Sequence, residues 1–469
     1  MKKFLAAALL VAGSTTAYSA DLPVKAPYYK APVAQVYDWT GFYIGVNVGV
    51  GVGQNKITEF AGPNAQTLAN ISSLGAVGGG QLGYNYQFGH WLVGAEADFQ
   101  GITKPDASQC PVPTCTQSGQ RLDWFGTVRG RVGYVTGPVL SYVTGGFAYG
   151  DVKTSQAQTI NGVPAFSASS DRTKSGWTWG TGVEAALSGN WTGKIEYLYV
   201  DLGNTFDTFP RAISSEIREH IFRAGVNYRF GGNSGPVALA PAANWSGFYL
   251  GGNGGSGLAR DKNQQTIAAP FATFDSFPEQ PRGFIGGVQA GYNWQAANWV
   301  FGLEADFQGS SQRDDRSCFA NCNAINSLRD DQKLPWLGTV RGRIGYDIGQ
   351  TLFYATAGLA YGQVKTTITE TFGPVTNVTT LDHTKTGWTA GAGLESPFEF
   401  LGWFGKNWTA KTEYLYVDLG STSDSYSTQL SPFGGITIPV AHTFSNSVHE
   451  HIFRTGLNYH FNQPVVAKY

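Results

Sequence analysis

Eight charged residues recur at matching places in the two halves of this chain. In the first half they are Glu96, Asp98, Arg129, Arg131, Glu184, Lys194, Glu196 and Arg223. In the second they are Glu304, Asp306, Arg341, Arg343, Glu395, Lys411, Glu413 and Arg454. Each set holds four acids and four bases. A carboxylate does general acid–base work only when it can exchange a proton with substrate, and an acid already matched by a cation is poorly suited to that. The pattern is instead that of buried ions that must pair, since an unpaired buried ion costs several kcal/mol. Residues two apart on a strand share a face. Glu96 with Asp98, and Arg129 with Arg131, are therefore expected as cross-strand partners around one lumen.

Other reactive side chains form no catalytic pattern. His220, His449, Glu450 and His451 stand before the last apolar segment of each half and read as interfacial polar ends. No HExxH, GxSxG or His-x-Ser arrangement stands out. The run Gly78-Gly79-Gly80 is followed by nothing helical, so it reads as strand glycine and not as a phosphate loop. No cofactor and no metal site is expected. The cysteines form two close pairs, Cys110/Cys115 and Cys318/Cys322, at the same place in each half. In an exported chain they are expected as local disulfides, each stabilising by only ~2 kcal/mol for so short a ring. Zinc held jointly by both pairs is the alternative, but no histidine cluster accompanies them.

The elements that must carry these residues follow from duplication and alternation. Trp39-Thr40-Gly41-Phe42-Tyr43-Ile44-Gly45 returns as Trp245-Ser246-Gly247-Phe248-Tyr249-Leu250-Gly251, and the stretch from Trp124 to Tyr134 returns from Trp336 to Tyr346. Glu219-His220-Ile221-Phe222-Arg223 returns as Glu450-His451-Ile452-Phe453-Arg454. Each copy has the size of a whole domain. Within a copy, apolar and polar residues alternate with period two over eight segments joined by tight turns and long loops in turn. The loops are expected around 54–74, 102–120, 154–173 and 204–217. Charged residues make up 14% of the chain, against about 25% in soluble domains, while Gly is 62 of 469 and aromatics 14%. The mid-strand charge lies on one face, and the other face is nearly free of charge there and heavy in Trp, Tyr and Phe. Water does not favour such an outer surface. The expected fold is all-β, with lipid outside and ions inside. No segment reaches ~18 consecutive apolar residues, so membrane passage requires closed β-structure. A formal charge of -1 argues against nucleic acid. Lys2 and Lys3, an apolar run and the small residues near Ala20 mark residues 1–20 as a signal peptide.

The motifs resemble those of a known family. Asp21-Leu22-Pro23-Val24-Lys25-Ala26-Pro27 precedes the first Trp-x-Gly-Phe-Tyr. Glu96-Ala97-Asp98 leads to Trp124 through Tyr134. Lys194-Ile195-Glu196-Tyr197-Leu198-Tyr199-Val200-Asp201-Leu202-Gly203 and Asn227-Tyr228-Arg229-Phe230 complete the set. The chain is similar to the small outer-membrane β-barrel surface proteins of alphaproteobacteria ("porin family", outer-membrane β-barrel domain), with OmpA/OmpX-like barrels as more distant relatives. The resemblance implies an eight-stranded barrel with exposed, antigenic loops and no enzymatic activity. This chain departs from that pattern by its tandem duplication. It also continues past Phe461, so Phe461 and Tyr469 are both candidates for the terminal aromatic read during assembly.

The domains are expected as signal peptide 1–20, Pro-rich periplasmic segment 21–38, first barrel 39–230, periplasmic linker 231–244, second barrel 245–461 and tail 462–469. Sixteen strands could instead close as one barrel. Charge balance within each copy favours two eight-stranded antiparallel transmembrane barrels, whose lumens are just wide enough for side chains. The linker reaches ~45 Å when extended, ample for barrels ~16 Å across. The expected role is a non-enzymatic structural and surface-exposed protein of the bacterial outer membrane. A diffusion channel for small solutes, and a loop-mediated adhesin or ligand receptor, are the alternatives. The expected partners are outer-membrane lipids, periplasmic chaperones and the barrel-assembly machinery, together with an external loop ligand of unknown chemistry and no nucleic acid.

Overall fold

The computed structural model describes residues 37–461 apart from 62–63, 104–114, 161–162, 209–211, 231–242, 269–272, 318–325, 349, 373–374, 399–403, 406 and 434–435. The expected signal peptide, most of the linker and the tail therefore lie outside the described residues. So do Cys110, Cys318 and Cys322, and of Cys115 only the backbone is described. Both expected disulfides, Cys110 to Cys115 and Cys318 to Cys322, thus fall outside the described residues.

The first copy forms β1 (Gly41–Ala61), β2 (Asn64–Phe88), β3 (Trp91–Thr103), β4 (Cys115–Thr136), β5 (Val139–Ile160), β6 (Val163–Ser188), β7 (Trp191–Thr208) and β8 (Ala212–Phe230). Neighbours in sequence pair antiparallel, and β1 closes on β8 from Phe42↔Phe230 to Phe60↔Ala212. The second copy forms β9 (Gly247–Ile267), β10 (Thr273–Glu279), β11 (Arg282–Ala296), β12 (Trp299–Ser317), β13 (Asn326–Ile348), β14 (Thr351–Phe372), β15 (Val375–Pro397), β16 (Trp408–Phe433) and β17 (Ile436–His460). Both β10 and β11 pair with β9, so they are one strand position interrupted at Pro281. Proline has no N–H to give the ladder. The ladder is bridged there by Ala259 N–H donating to the Pro281 carbonyl at 2.8 Å. Pairing of β9 with β17 closes this ring too, from Tyr249↔His460 to Ile267↔His442. Two eight-position barrels result, and the single sixteen-stranded ring is excluded.

Alternation puts rings at two levels of each outer wall. The lower belt includes Phe42–Tyr84, Trp91–Tyr134 and Trp191–Tyr228, with ring centroids 4.7, 5.4 and 5.2 Å apart. The upper belt includes Phe99–Trp124 and Trp177–Tyr199, at 5.4 and 5.3 Å. The second barrel repeats both, with Trp299–Tyr346 below and Phe307–Trp336 above, at 5.1 and 5.6 Å. Between the belts much of the wall is Val, Ala, Leu and Ile, and over most of it the large apolar residues, among them Val93, Val128 and Leu303, are exposed as a lipid-facing wall requires.

Above the upper belt the structure differs from the expected loops. Residues 54–61 and 64–74 pair as a continuation of β1 and β2, 154–160 and 163–173 as β5 and β6, and 204–208 and 212–217 as β7 and β8. Polar side chains on both faces erase the alternation signal. The backbone N–H and C=O groups are still best satisfied by one another, and Thr- and Ser-rich chain tolerates strand geometry. The 102–120 region is strand as far as Thr103 and again from Cys115. Each copy also breaks register at its Val-Asp-Leu-Gly motif, between Asp201 and Asn204 and between Asp418 and Ser421. Gly203 and Gly420 take φ of +74° and +68°, and their N–H groups donate to Asp201 and Asp418 at 2.8 Å. That is a β-bulge with glycine at the position requiring positive φ.

Candidate functional site

The lumen of each barrel is built in layers, with ions at the middle. Direct pairing sets Glu96 opposite Arg129 on β3 and β4, and Glu184 opposite Lys194 and Glu196 opposite Arg223 around β6, β7 and β8. Closing the ring brings these pairs within reach across the lumen. Arg129 donates to Asp98 at 2.8 Å and Glu196 at 3.1 Å, and also to Glu96. Arg223 reaches Asp98 at 2.8 Å and Glu196 at 2.5 Å. Arg131 holds Glu184 at 3.0 Å, and Lys194 holds Glu96 at 3.0 Å. Arg129, Arg131, Lys194 and Arg223 are each 2% exposed.

The second barrel reproduces the arrangement. Arg341 meets Asp306 at 2.9 Å and Glu413 at 3.2 Å, besides Glu304. Arg454 meets Asp306 at 2.8 Å and Glu413 at 2.5 Å. Arg343 holds Glu395 at 2.9 Å and Lys411 holds Glu304 at 2.7 Å. Thus all sixteen charged residues singled out from the sequence line the two lumens in mutual contact.

Several partners carried no charge to mark them. Tyr43 donates to Glu96 at 2.7 Å and Tyr142 to Glu196 at 2.9 Å. Tyr249 and Tyr354 do the same for Glu304 and Glu413, at 2.7 and 3.0 Å. Arg131 stacks between Tyr43 and Tyr142, with its guanidinium 5.3 and 4.6 Å from the ring centres. Thr192 and Asn227 complete Glu184, at 2.5 and 2.8 Å. The available signal was parity, because Tyr43 falls out of phase with Phe42 and Ile44. The copies differ where Arg229 of the first is His460 in the second. Arg229 turns down over the rings of Tyr37 and Trp39, whereas the equivalent His460 meets Glu395 at 3.1 Å.

Buried apolar clusters lie above and below the ions. Below, Trp39, Leu92, Val135, Leu140 and Tyr142 pack together in the first barrel, and Ala243, Trp245, Val300, Leu352 and Tyr354 in the second. Above, Phe125, Leu198 and Ile221 lead one buried cluster, and Leu337, Leu415 and Ile452 the other. Higher still, beyond the upper belt, the second lumen is polar again. There Lys385 donates to Asn446 Oδ1 at 2.7 Å. Burial pushes the Lys385 ammonium down to about 8, against the pull of Asp261 and Asp424. Burial likewise pushes Asp261 well above the usual carboxylate range.

The histidines set aside from the sequence lie apart from the ion layer. His220 and His451 project from the outer walls, where each ring accepts or donates at Nδ1 with Tyr197 and Tyr414, at 2.8 and 2.7 Å. Glu450 is inward and accepts from Gln312 at 2.6 Å. His449 lies 3.7 Å from Asp418. Of the cysteines, Cys110, Cys318 and Cys322 lie outside the described residues, and Cys115 is described only as the first backbone position of β4.

Two closed rings, paired aromatic belts and an ion-filled lumen define an integral β-barrel of a bacterial outer membrane. The chain belongs to the outer membrane protein beta-barrel domain family, which matches residues 5–230 and again 234–461. The 31 kDa outer-membrane immunogenic protein of Brucella melitensis is 38% identical over 243 residues, which is 49% of this chain and 100% of that protein. The 22 kDa outer membrane protein of Rhizobium leguminosarum is 36% identical over 185 residues, covering 39% of this chain and 68% of its own. A whole relative thus corresponds to about half of this chain, in keeping with one barrel per copy.

Proposed function

We propose that this protein is a non-enzymatic structural element of the outer membrane that presents paired β-hairpins to the outside. One observation carries the reading. In both barrels the membrane-level lumen is filled by a neutral ion layer between two apolar layers, which leaves the long outer hairpins as the part offered to the surroundings. Every carboxylate of the ion layer meets a cation, which speaks against acid–base chemistry there. Relatives named as immunogenic outer-membrane proteins support the further reading that the hairpins of β1–β2, β5–β6, β14–β15 and β16–β17 carry the antigenic surface. In this reading the partners are outer-membrane lipid for the wall and, during biogenesis, periplasmic chaperones and the assembly machinery.

Single-channel recording in a planar bilayer tests the sealed lumen. The expected result is no steady conductance. Stable nanosiemens pores from the purified protein would replace this reading with a diffusion channel. Protease shaving of intact cells tests the hairpins, which should be cut while the barrel walls remain protected.

A further inference from the structure

The outer wall should be exposed to lipid everywhere, and over most of its area it is. Phe99, Val128, Val143 and Phe147 are all exposed by half or more. Yet Val52, Tyr197 and Phe222, which also point outward, are nearly fully covered. They pack with Leu258 and Phe453 of the second barrel in one cluster, joined by Tyr199 and Tyr414. The two sides use equivalent residues. Val52 and Leu258 occupy the same place in their copies, as do Tyr197 and Tyr414, and Phe222 and Phe453.

The contacts themselves are reciprocal. Tyr197 meets Phe453 at 5.3 Å, Phe222 meets Tyr414 at 5.4 Å, and Phe222 meets Phe453 at 5.7 Å between ring centres. When residue i touches j and j touches i, the interface is that of a twofold dimer. A second observation points the same way. His220 and His451 are polar residues on walls that otherwise face lipid, an environment costly for polar groups. Both are buried, each hydrogen-bonded to the tyrosine of the covered patch. The Glu-His-Ile-Phe-Arg motif, repeated in both copies, thereby acquires a use on each face of its strand: Arg inward to the ions, His and Phe outward to the other barrel.

We propose that the outer half of the β1–β7–β8 wall is a self-complementary docking surface, and that its occupant is the equivalent β9–β16–β17 wall of the same chain. The tandem protein is then a twofold dimer closed within one polypeptide. Lipid tails are as apolar as the rings, so the surface is selective through shape and the shielded Tyr–His pairs, not through exclusion of water.

The test uses the full chain with a protease site placed within residues 231–242. Phe222 is replaced by the photocrosslinker p-benzoylphenylalanine, and Phe147 likewise as a lipid-facing control. After purification in mild detergent, irradiation and cleavage, the Phe222 probe should leave the two halves covalently joined, with the adduct mapping to the Tyr414–Phe453 region. The Phe147 probe should leave them separable. Halves that separate with the Phe222 probe, or links joining two whole chains, would overturn the proposal. Should the substituted protein fail to fold, the unsubstituted cleaved chain decides. Its halves should co-migrate on a native gel, and independent migration would overturn the proposal equally.

Discussion

Removing one arginine tests whether the ion layer is as tightly balanced as its geometry says. Arg129 is fully surrounded: it touches Asp98 at 2.8 Å, Glu196 at 3.1 Å and also Glu96. Arg129→Ala leaves four acids against three bases among buried side chains. Truncating one member of a buried ion network typically costs about 3–5 kcal/mol, because the surviving charges lose their compensation. Total stabilities are about 5–15 kcal/mol, so the loss is a large share of the whole. The surface pair Arg329–Asp315, 3.5 Å apart with side chains 54% and 53% exposed, is the control. Arg329→Ala should cost under ~1 kcal/mol. The assay is reversible urea unfolding in detergent micelles, followed by tryptophan fluorescence and heat-modifiable gel mobility. A second substitution sharpens it: adding Asp98→Asn restores three acids against three bases and should recover part of the loss. If Arg129→Ala costs no more than Arg329→Ala, or if Asp98→Asn only deepens the defect, the balance argument is wrong.

Three further outcomes follow from the same structure. Trp39→Ala empties the periplasmic-side apolar layer; truncating a buried Trp should cost about 3–5 kcal/mol and raise small-ion leakage in planar bilayers. Ala297 sits at φ +53° in the turn where the first copy has Gly89 at φ +61°; Ala297→Gly should stabilise the second barrel by about 1 kcal/mol, read as a shift in urea midpoint. For Lys385, the folded pKa of about 8 lies below the ordinary 10.5, so the folded state binds the proton less tightly than the unfolded one. Stability should therefore rise with pH between about 8 and 10.5, and Lys385→Gln should flatten that slope in unfolding titrations across the window.

Much of the barrel is legible in the sequence. Period-two alternation tells which residues share a face, and charge on only one face tells which face is inside, because a strand can hide an ion from lipid in only one direction. Parity therefore placed Glu96, Arg129, Glu196 and Arg223 in a common lumen, and duplication carried the same reading to Glu304, Arg341, Glu413 and Arg454. Sequence alone also made two rings the better closure, since balance within each copy has no meaning for a wide aqueous pore. What it could not supply was contact across the ring. Arg129 meets Glu196 and Arg223 meets Asp98 only after closure makes β3, β4, β7 and β8 neighbours across a lumen narrow enough for side chains to touch. The apolar seals escaped for a related reason. Leu198, Ile221 and Phe125 lie on the inward parity, but whether they form a layer depends on the height each strand gives them, which register and shear decide. The outer segments read as loops because polar residues on both faces carry no period, although their backbones pair as well as any other strand. The covered Tyr197–Phe222 wall was invisible for the plainest physical reason: an aromatic ring facing lipid and one facing another barrel satisfy the same local pattern, and only the position of the second barrel tells them apart.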